Sequence, residues 1–427
     1  MNNSRIISVT AMQASTDEDK PAVEVIIQTE NGAVGKASVF QALPDGRWNP
    51  NYLYDNTLEY NGFGVKTAAG IINGIVGPAI IGLSADCQGL IDTVIKKSLN
   101  DVNIPCYVNI SAPVSIAALK AGAQSKGLPL YRHIGGRAAF VLPVAGQVAA
   151  SGSKRYNLDS HSNGKPVYLL TAYGFDSFEE SHYALWETAN AYEELLSKRY
   201  HLLVHRGFSL AVPAGKIDHD RKLWEIMAEA IEKTGYTGKI GIQADIGAND
   251  YYDADSGLYK GLFSAEDKTR DDLITLYNEM AKNYPFVTLL DPLEENDLDG
   301  YAKVLEETGI QIVGRDICGT DFERIKICID HGSINSVLLS VCSFATFSDA
   351  IKVVRYAKNH GVDVMPQNLA GEDMDLADYA VGFSVGTIYE SGLEVVGNSL
   401  LAIEHEIGPR SRFYGVGGLQ GSKFNLV

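Results

Sequence analysis

From Leu142 to the end of the 427-residue chain, short apolar runs alternate with longer amphipathic ones. The apolar runs include Ile240-Gly241-Ile242, Val287-Thr288-Leu289-Leu290, Ile312-Val313, Val337-Leu338-Leu339 and Val362 to Met365. Strand-length runs separated by helix-length amphipathic segments predict a β/α barrel, because parallel strands need a crossover long enough to hold a helix. In such barrels the reactive side chains gather at the carboxyl ends of the strands. The residues to interrogate are therefore Asp245, Leu290 with Asp291, Asp316, Ser340 and Asn368.

The segment before Leu142 has a different rhythm. Arg5 to Met12, Ala22 to Thr29 and Val34 to Phe40 alternate β-branched residues toward one face, with the turn Glu30-Asn31-Gly32 between the last two, and predict an antiparallel meander. Helical periodicity follows through Ala68-Ile71-Ile72-Ile75, Gln88 to Leu99 and Ser115 to Ser125. This predicts a small α+β domain over residues 1–136 and a barrel over residues 137–427.

Charge and composition narrow the function classes. Thirty-six Lys+Arg against 53 Asp+Glu give a formal net charge of -17, which repels nucleic acid and anionic lipid surfaces. Neither nucleic acid nor membrane is an expected partner. Gly74, Gly77 and Pro78 interrupt the apolar stretch from Ile71 to Ile81, so it reads as a packed helix with its exit turn. Five scattered cysteines without a CxxC pair suggest neither a disulfide framework nor a zinc site. With no signal-peptide pattern at the amino end, a reducing cytoplasm is the expected compartment.

Several separate blocks resemble the enolase family, the glycolytic phosphopyruvate hydratases. Ala117 to Ala123 leading into Gly127-Leu128-Pro129-Leu130-Tyr131-Arg132-His133-Ile134 is similar to the end of that family's amino-terminal domain. Ala22-Val23-Glu24-Val25, Tyr60 to Val65, Gly235 to Lys239, Asp291-Pro292, Gln311 to Gly314 and Leu400 to Gly408 add to the resemblance, which spans essentially the whole chain. It implies an α+β cap on an enolase-type barrel whose second strand runs antiparallel, assembled as a homodimer.

The same resemblance implies a chemistry and then withholds most of its residues. The family removes a proton next to a carboxylate and expels a hydroxyl, with magnesium holding the ene-diolate beside a lysine or histidine base. Of three metal carboxylates at successive strand ends, Asp245 and Asp316 match two, while the third is Leu290. Magnesium binding is therefore expected to be weak or lost, since the ion needs hard oxygen ligands. Asp291 is not expected to substitute, because adjacent strand residues face opposite ways, and Asp316 has Arg315 beside it as a possible ion-pair partner. Ser340 stands at the lysine base, Asn368, Leu369 and Ala370 at the histidine, arginine and serine before Gly371-Glu372, and Tyr389 or Glu390 at a lysine of the last strand. No carboxylate stands near Val167-Tyr168 or Arg206-Gly207-Phe208, where the family's glutamates fall, and the mobile loop reads Phe40 to Arg47 without its hydroxyl ligand.

Lys154, His205, Arg206, Gln243, Asn368 and Glu372 are candidate new polar groups, each with an ordinary structural reading as a loop, capping or barrel-lining residue. Two functions stay open: a non-catalytic homologue serving binding or assembly, and a diverged barrel lyase on another small carboxylate. Phosphopyruvate hydratase activity itself would require a different alignment of several blocks. An enzyme should keep convergent polar groups in an accessible cavity, whereas a non-catalytic homologue can fill it with apolar side chains.

Overall fold

The computed structural model describes residues 4–16, 20–40, 50–151, 155–156, 164–201, 210–212, 215–368, 375–389 and 392–424. The amino-terminal strands β1 (Ile6–Ser15), β2 (Pro21–Thr29) and β3 (Val34–Val39) form an antiparallel sheet in sequence order. Val23, Val25 and Ile27 of β2 and Ala37 and Val39 of β3 turn one apolar face onto the helix Val108–Ser125. The approach is close enough that a Cβ at Gly35 would lie 1.8 Å from the Ala117 carbonyl oxygen, so only glycine fits there.

That helix starts seven residues before the expected Ser115. Its residues from Val108 to Leu119 are all buried, leaving no polar face from which an amphipathic period could be read. Pro113 lies inside it and gives no N–H to the ladder. The Asn109 side chain is committed to the Leu53 backbone, donating to its carbonyl at 2.9 Å and accepting from its N–H at 3.0 Å. The apolar stretch beginning at Lys66 is a packed helix that widens to a π-turn over Ile72–Val76 and ends at Ile80.

The barrel strands are β4 (Gly146–Ser151), β5 (Val167–Ala172), β6 (Ile240–Asp245), β7 (Phe286–Leu290), β8 (Gln311–Gly314), β9 (Ser336–Leu339) and β10 (Asp363–Pro366). They neighbour one another in that order; β5 is antiparallel to both β4 and β6, and the pairs from β6 to β10 are parallel. Residues 386–389 close the ring: Val144 N–H donates to Gly386, Ile388 N–H to Val144 and Tyr389 N–H to Pro366. Helices pack outside, capped by side chains such as Thr269 with Asp272, Thr346 and Asp321.

The two domains meet through apolar packing of the helix Leu130–Gly135 on the helix Leu376–Phe383 and through polar contacts. Asp92 accepts from Ser115 Oγ at 2.6 Å on its own side, and from the Ser348 N–H at 3.0 Å and hydroxyl at 2.5 Å across the junction. Lys96 pairs with Asp349 and Lys120 with Asp375, both at 2.6 Å. No helix among the described residues is long and apolar enough to cross a membrane.

Candidate functional site

Asp245 closes β6 at the barrel mouth, in register with Leu290 on β7, which is in turn in register with Val313 on β8. The Asp245 carboxylate is almost fully buried and has three partners. Tyr389 donates its hydroxyl to Oδ2 at 2.9 Å, Arg315 Nη1 reaches the same oxygen at 3.2 Å, and Lys165 Nζ lies 3.1 Å from Oδ1. Burial pushes this carboxyl above the usual range, the Tyr389 hydroxyl works against that, and the Asp316 charge adds to the rise. The two cations at contact distance favour its charged form.

Asp291 departs from the strand-alternation expectation. It follows the end of β7 with a φ of 44°, a left-handed conformation outside the pleat, so its side chain does not turn away as a strand neighbour of Leu290 would. Its buried Oδ1 accepts the N–H groups of Arg315 at 2.9 Å and Asp316 at 3.0 Å, and Oδ2 lies 3.3 Å from Arg315 Nη2. Burial, then the charges of Asp316 and Asp245, raise its pKa well above the ordinary value.

Arg315 binds these groups together. Its guanidinium, 11% exposed, donates through Nε to Asp316 Oδ1 at 2.8 Å and through Nη2 to Oδ2 at 3.3 Å, besides its contacts with Asp245 and Asp291. The pairing of Asp316 with Arg315 that the sequence left open is present, and the arginine extends it to three carboxylates. Lys165 gives no comparable sequence signal. It reaches the mouth because β5 runs antiparallel: Val167 pairs with Asp245, so the residues entering β5 arrive where the other strands end. Gly247, at a φ of 55°, leaves it room, since a Cβ there would stand 2.3 Å from Lys165 Cδ.

The other sequence candidates divide. Leu290 is fully buried and packs with Leu169, Val313, Leu338, Met365 and Tyr389 in an apolar cluster inside the barrel. Gln243 is buried and donates to the Tyr389 carbonyl at 3.1 Å, bracing the segment that closes the ring. Ser340 is buried at the end of β9 with its hydroxyl 2.8 Å from that of Ser343. Asn368 is half-buried just past β10. Lys154, His205, Arg206, Phe208, Leu369, Ala370, Glu372, Glu390 and the loop after Phe40 lie outside the described residues.

A magnesium ion does not fit this donor set. Leu290 offers no oxygen, and the carboxylates of Asp245, Asp291 and Asp316 already share one guanidinium, with Lys165 as a second cation. An incoming dication would have to displace a bound positive charge and shed water, which magnesium does reluctantly. Among the described residues no group of three or more His, Cys, Asp or Glu has the arrangement of a metal site.

Comparison with known proteins adds the lineage of this arrangement. Residues 6–134 match the description "Enolase, N-terminal domain" and residues 167–420 match "Enolase, C-terminal TIM barrel domain". The chain is 34% identical to a protein named enolase from Methanopyrus kandleri, over 96% of this chain and 99% of that one. It is 31% identical to the enolase of Corynebacterium kroppenstedtii and 30% identical to that of Solanum lycopersicum, each over 96% of this chain and 97% of the relative.

Proposed function

The chain belongs to the enolase family, and we propose that within it this protein is a non-catalytic member that serves as a binding or assembly component. The reading rests on one observation: the Arg315 guanidinium sits among Asp245, Asp291 and Asp316, where the family's reaction calls for a metal dication. Abstraction of a weakly acidic proton next to a carboxylate needs a strong charge clamp on the developing ene-diolate together with a base near neutral pH. A guanidinium carries one positive charge and its donors here are spent on protein carboxylates. At the base position Ser340 is a hydroxyl beside another hydroxyl, and neither accepts a proton at neutral pH without a base of its own.

The apolar cluster beneath the mouth supports the same reading, because Leu290, Leu338 and Met365 fill space with side chains that bind no polar substrate. Loss of the base alone costs a factor of about 10²–10⁴. A two-fold homodimer is part of the proposal, as cyclic dimers are the commonest assembly, and sedimentation as a clean monomer at micromolar concentration would remove that part. A steady-state assay of 2-phosphoglycerate dehydration with excess magnesium tests the main reading. The expected result is no measurable turnover, and a rate within about a hundredfold of the ~10 s⁻¹ typical of enzymes overturns it.

A second reading, a diverged lyase on another small carboxylate, draws on Lys165, which remains 14% exposed at the mouth. Saturable binding of a small carboxylate that is abolished by Lys165→Ala, accompanied by turnover, would favour it.

A further inference from the structure

Away from the barrel mouth, residues 128–140 and 407–412 line an open cavity of about 860 Å³. Among the described residues that line it, four of ten are arginines, Arg132, Arg137, Arg410 and Arg412, and none is acidic. In a chain with a net charge of -17 this is an unusual concentration of positive charge. Elsewhere on the surface cations are commonly matched, as Lys198 and Lys233 are by Glu194 or Arg199 by Glu229. Among the described residues no carboxylate lies within ion-pairing distance of these four guanidinia.

The walls are held by regular structure. Arg412 and Phe413 pair in parallel with Val141 and Leu142, and the Arg412 N–H donates to the Phe140 carbonyl at 3.0 Å. Arg412 spends one guanidinium nitrogen, Nη1, on the carbonyl of Ser411 at 2.9 Å, and at 3.5 Å on that of Pro409, which leaves donors pointing elsewhere. Leu128 and Phe140, each 39% exposed, supply apolar surface beside the charges.

We propose that this cavity, set between Arg132, Arg137, Arg410 and Arg412 and flanked by Leu128 and Phe140, is a binding site for a nucleoside polyphosphate. The volume falls in the small-molecule range of roughly 300–1,000 Å³. Four like charges, none of them held in an ion pair among the described residues, repel one another, and a polyanion relieves that repulsion at every phosphate it presents. Guanidinium forks match phosphate oxygens in pairs, so arginine in place of lysine favours phosphate over a diffuse negative surface. Phe140 offers a ring face to a planar base, the part of the ligand that inorganic polyphosphate lacks. The site is independent of the reading of the barrel mouth and keeps its value whether or not the mouth is catalytic.

Titration calorimetry of the full chain with ATP and, separately, tripolyphosphate in EDTA tests the site with metal ions removed. ATP is expected to bind with a dissociation constant in the tens of micromolar, weakening as salt rises. Arg132→Ala with Arg410→Ala should lower ATP affinity by about a hundredfold, roughly tenfold for each charged contact. Phe140→Ser should weaken ATP by about tenfold and leave tripolyphosphate unchanged. In the unmodified protein, ATP should protect arginines from phenylglyoxal, a readout that depends on no variant folding. The proposal is overturned if ATP shows no binding at about 5 mM, if the double arginine variant binds as tightly as the parent, or if ATP and tripolyphosphate bind alike and Phe140→Ser changes neither.

Discussion

The Arg315 guanidinium stands 3.2 Å from the Asp245 carboxylate, joining residues 70 positions apart at the ends of two different barrel strands. Both groups are almost fully withdrawn from water, so each helps to make the other's burial tolerable. Removing one member of such a pair strands a buried charge, whereas removing both can be nearly neutral.

Arg315→Ala should therefore destabilise the protein by about 3–5 kcal/mol, the range for breaking a buried pair. Combining it with Asp245→Asn should cost less than the sum of the two single changes, with a coupling of about 1 kcal/mol or more. Urea denaturation of the four proteins measures this. Additive losses would mean that the guanidinium is not the compensating charge of the barrel mouth.

Magnesium should stabilise the parent protein very little. With binding no tighter than about 1 mM, physiological magnesium contributes less than about 0.5 kcal/mol, a melting shift of roughly 1 °C. Arg315→Ala should respond more strongly, because the carboxylates of Asp245, Asp291 and Asp316 then lack the cation they share. Micromolar affinity in the parent protein by calorimetry would contradict the proposed non-catalytic role.

Asp363 sets a pH dependence away from the mouth. It is buried at the start of β10, and burial raises its pKa to about 6 although the N–H groups of Val364 and Gly386 and the charge of Lys358 oppose the rise. The native state then holds a proton that the unfolded chain has released, so this group's stabilising contribution is full below about pH 4 and is lost as pH rises to about 6. Asp363→Asn removes the titration. The stability of the parent relative to that variant should fall across this window by on the order of 2–3 kcal/mol and level off above it. Parallel curves for the two proteins would show that Asp363 is not the titrating group.

Asp92 should matter to how the domains hold together. Its carboxylate accepts from Ser115 on one side and from both polar groups of Ser348 on the other. Asp92→Ala leaves those donors without their acceptor and should cost about 2–4 kcal/mol, with faster proteolysis at the junction. A loss below about 0.5 kcal/mol would mean that water replaces the carboxylate there without penalty.

The strand ends were legible in the sequence because periodicity is local: the runs that end at Asp245, Leu290 and Ser340 carry their own β-branched and leucine pattern, and the structure has strands there. The helix Val108–Ser125 was half legible, since a helix buried on every side shows no period at its start. At the mouth the sequence identified Asp245, Asp316 and the apolar Leu290, and it noted Arg315 beside Asp316. What it could not supply was that Asp291 turns out of the strand, that Lys165 enters from an antiparallel β5, or that Tyr389 and Arg315 converge on the same oxygen of Asp245. Those facts depend on which strands neighbour each other and on which way a side chain leaves its backbone. Residue types and their spacing determined that a barrel would form and which residues would end its strands. Only the closure of the ring, which brings residues 165, 245, 315 and 389 together, decided that the cations and carboxylates at its mouth pair with one another.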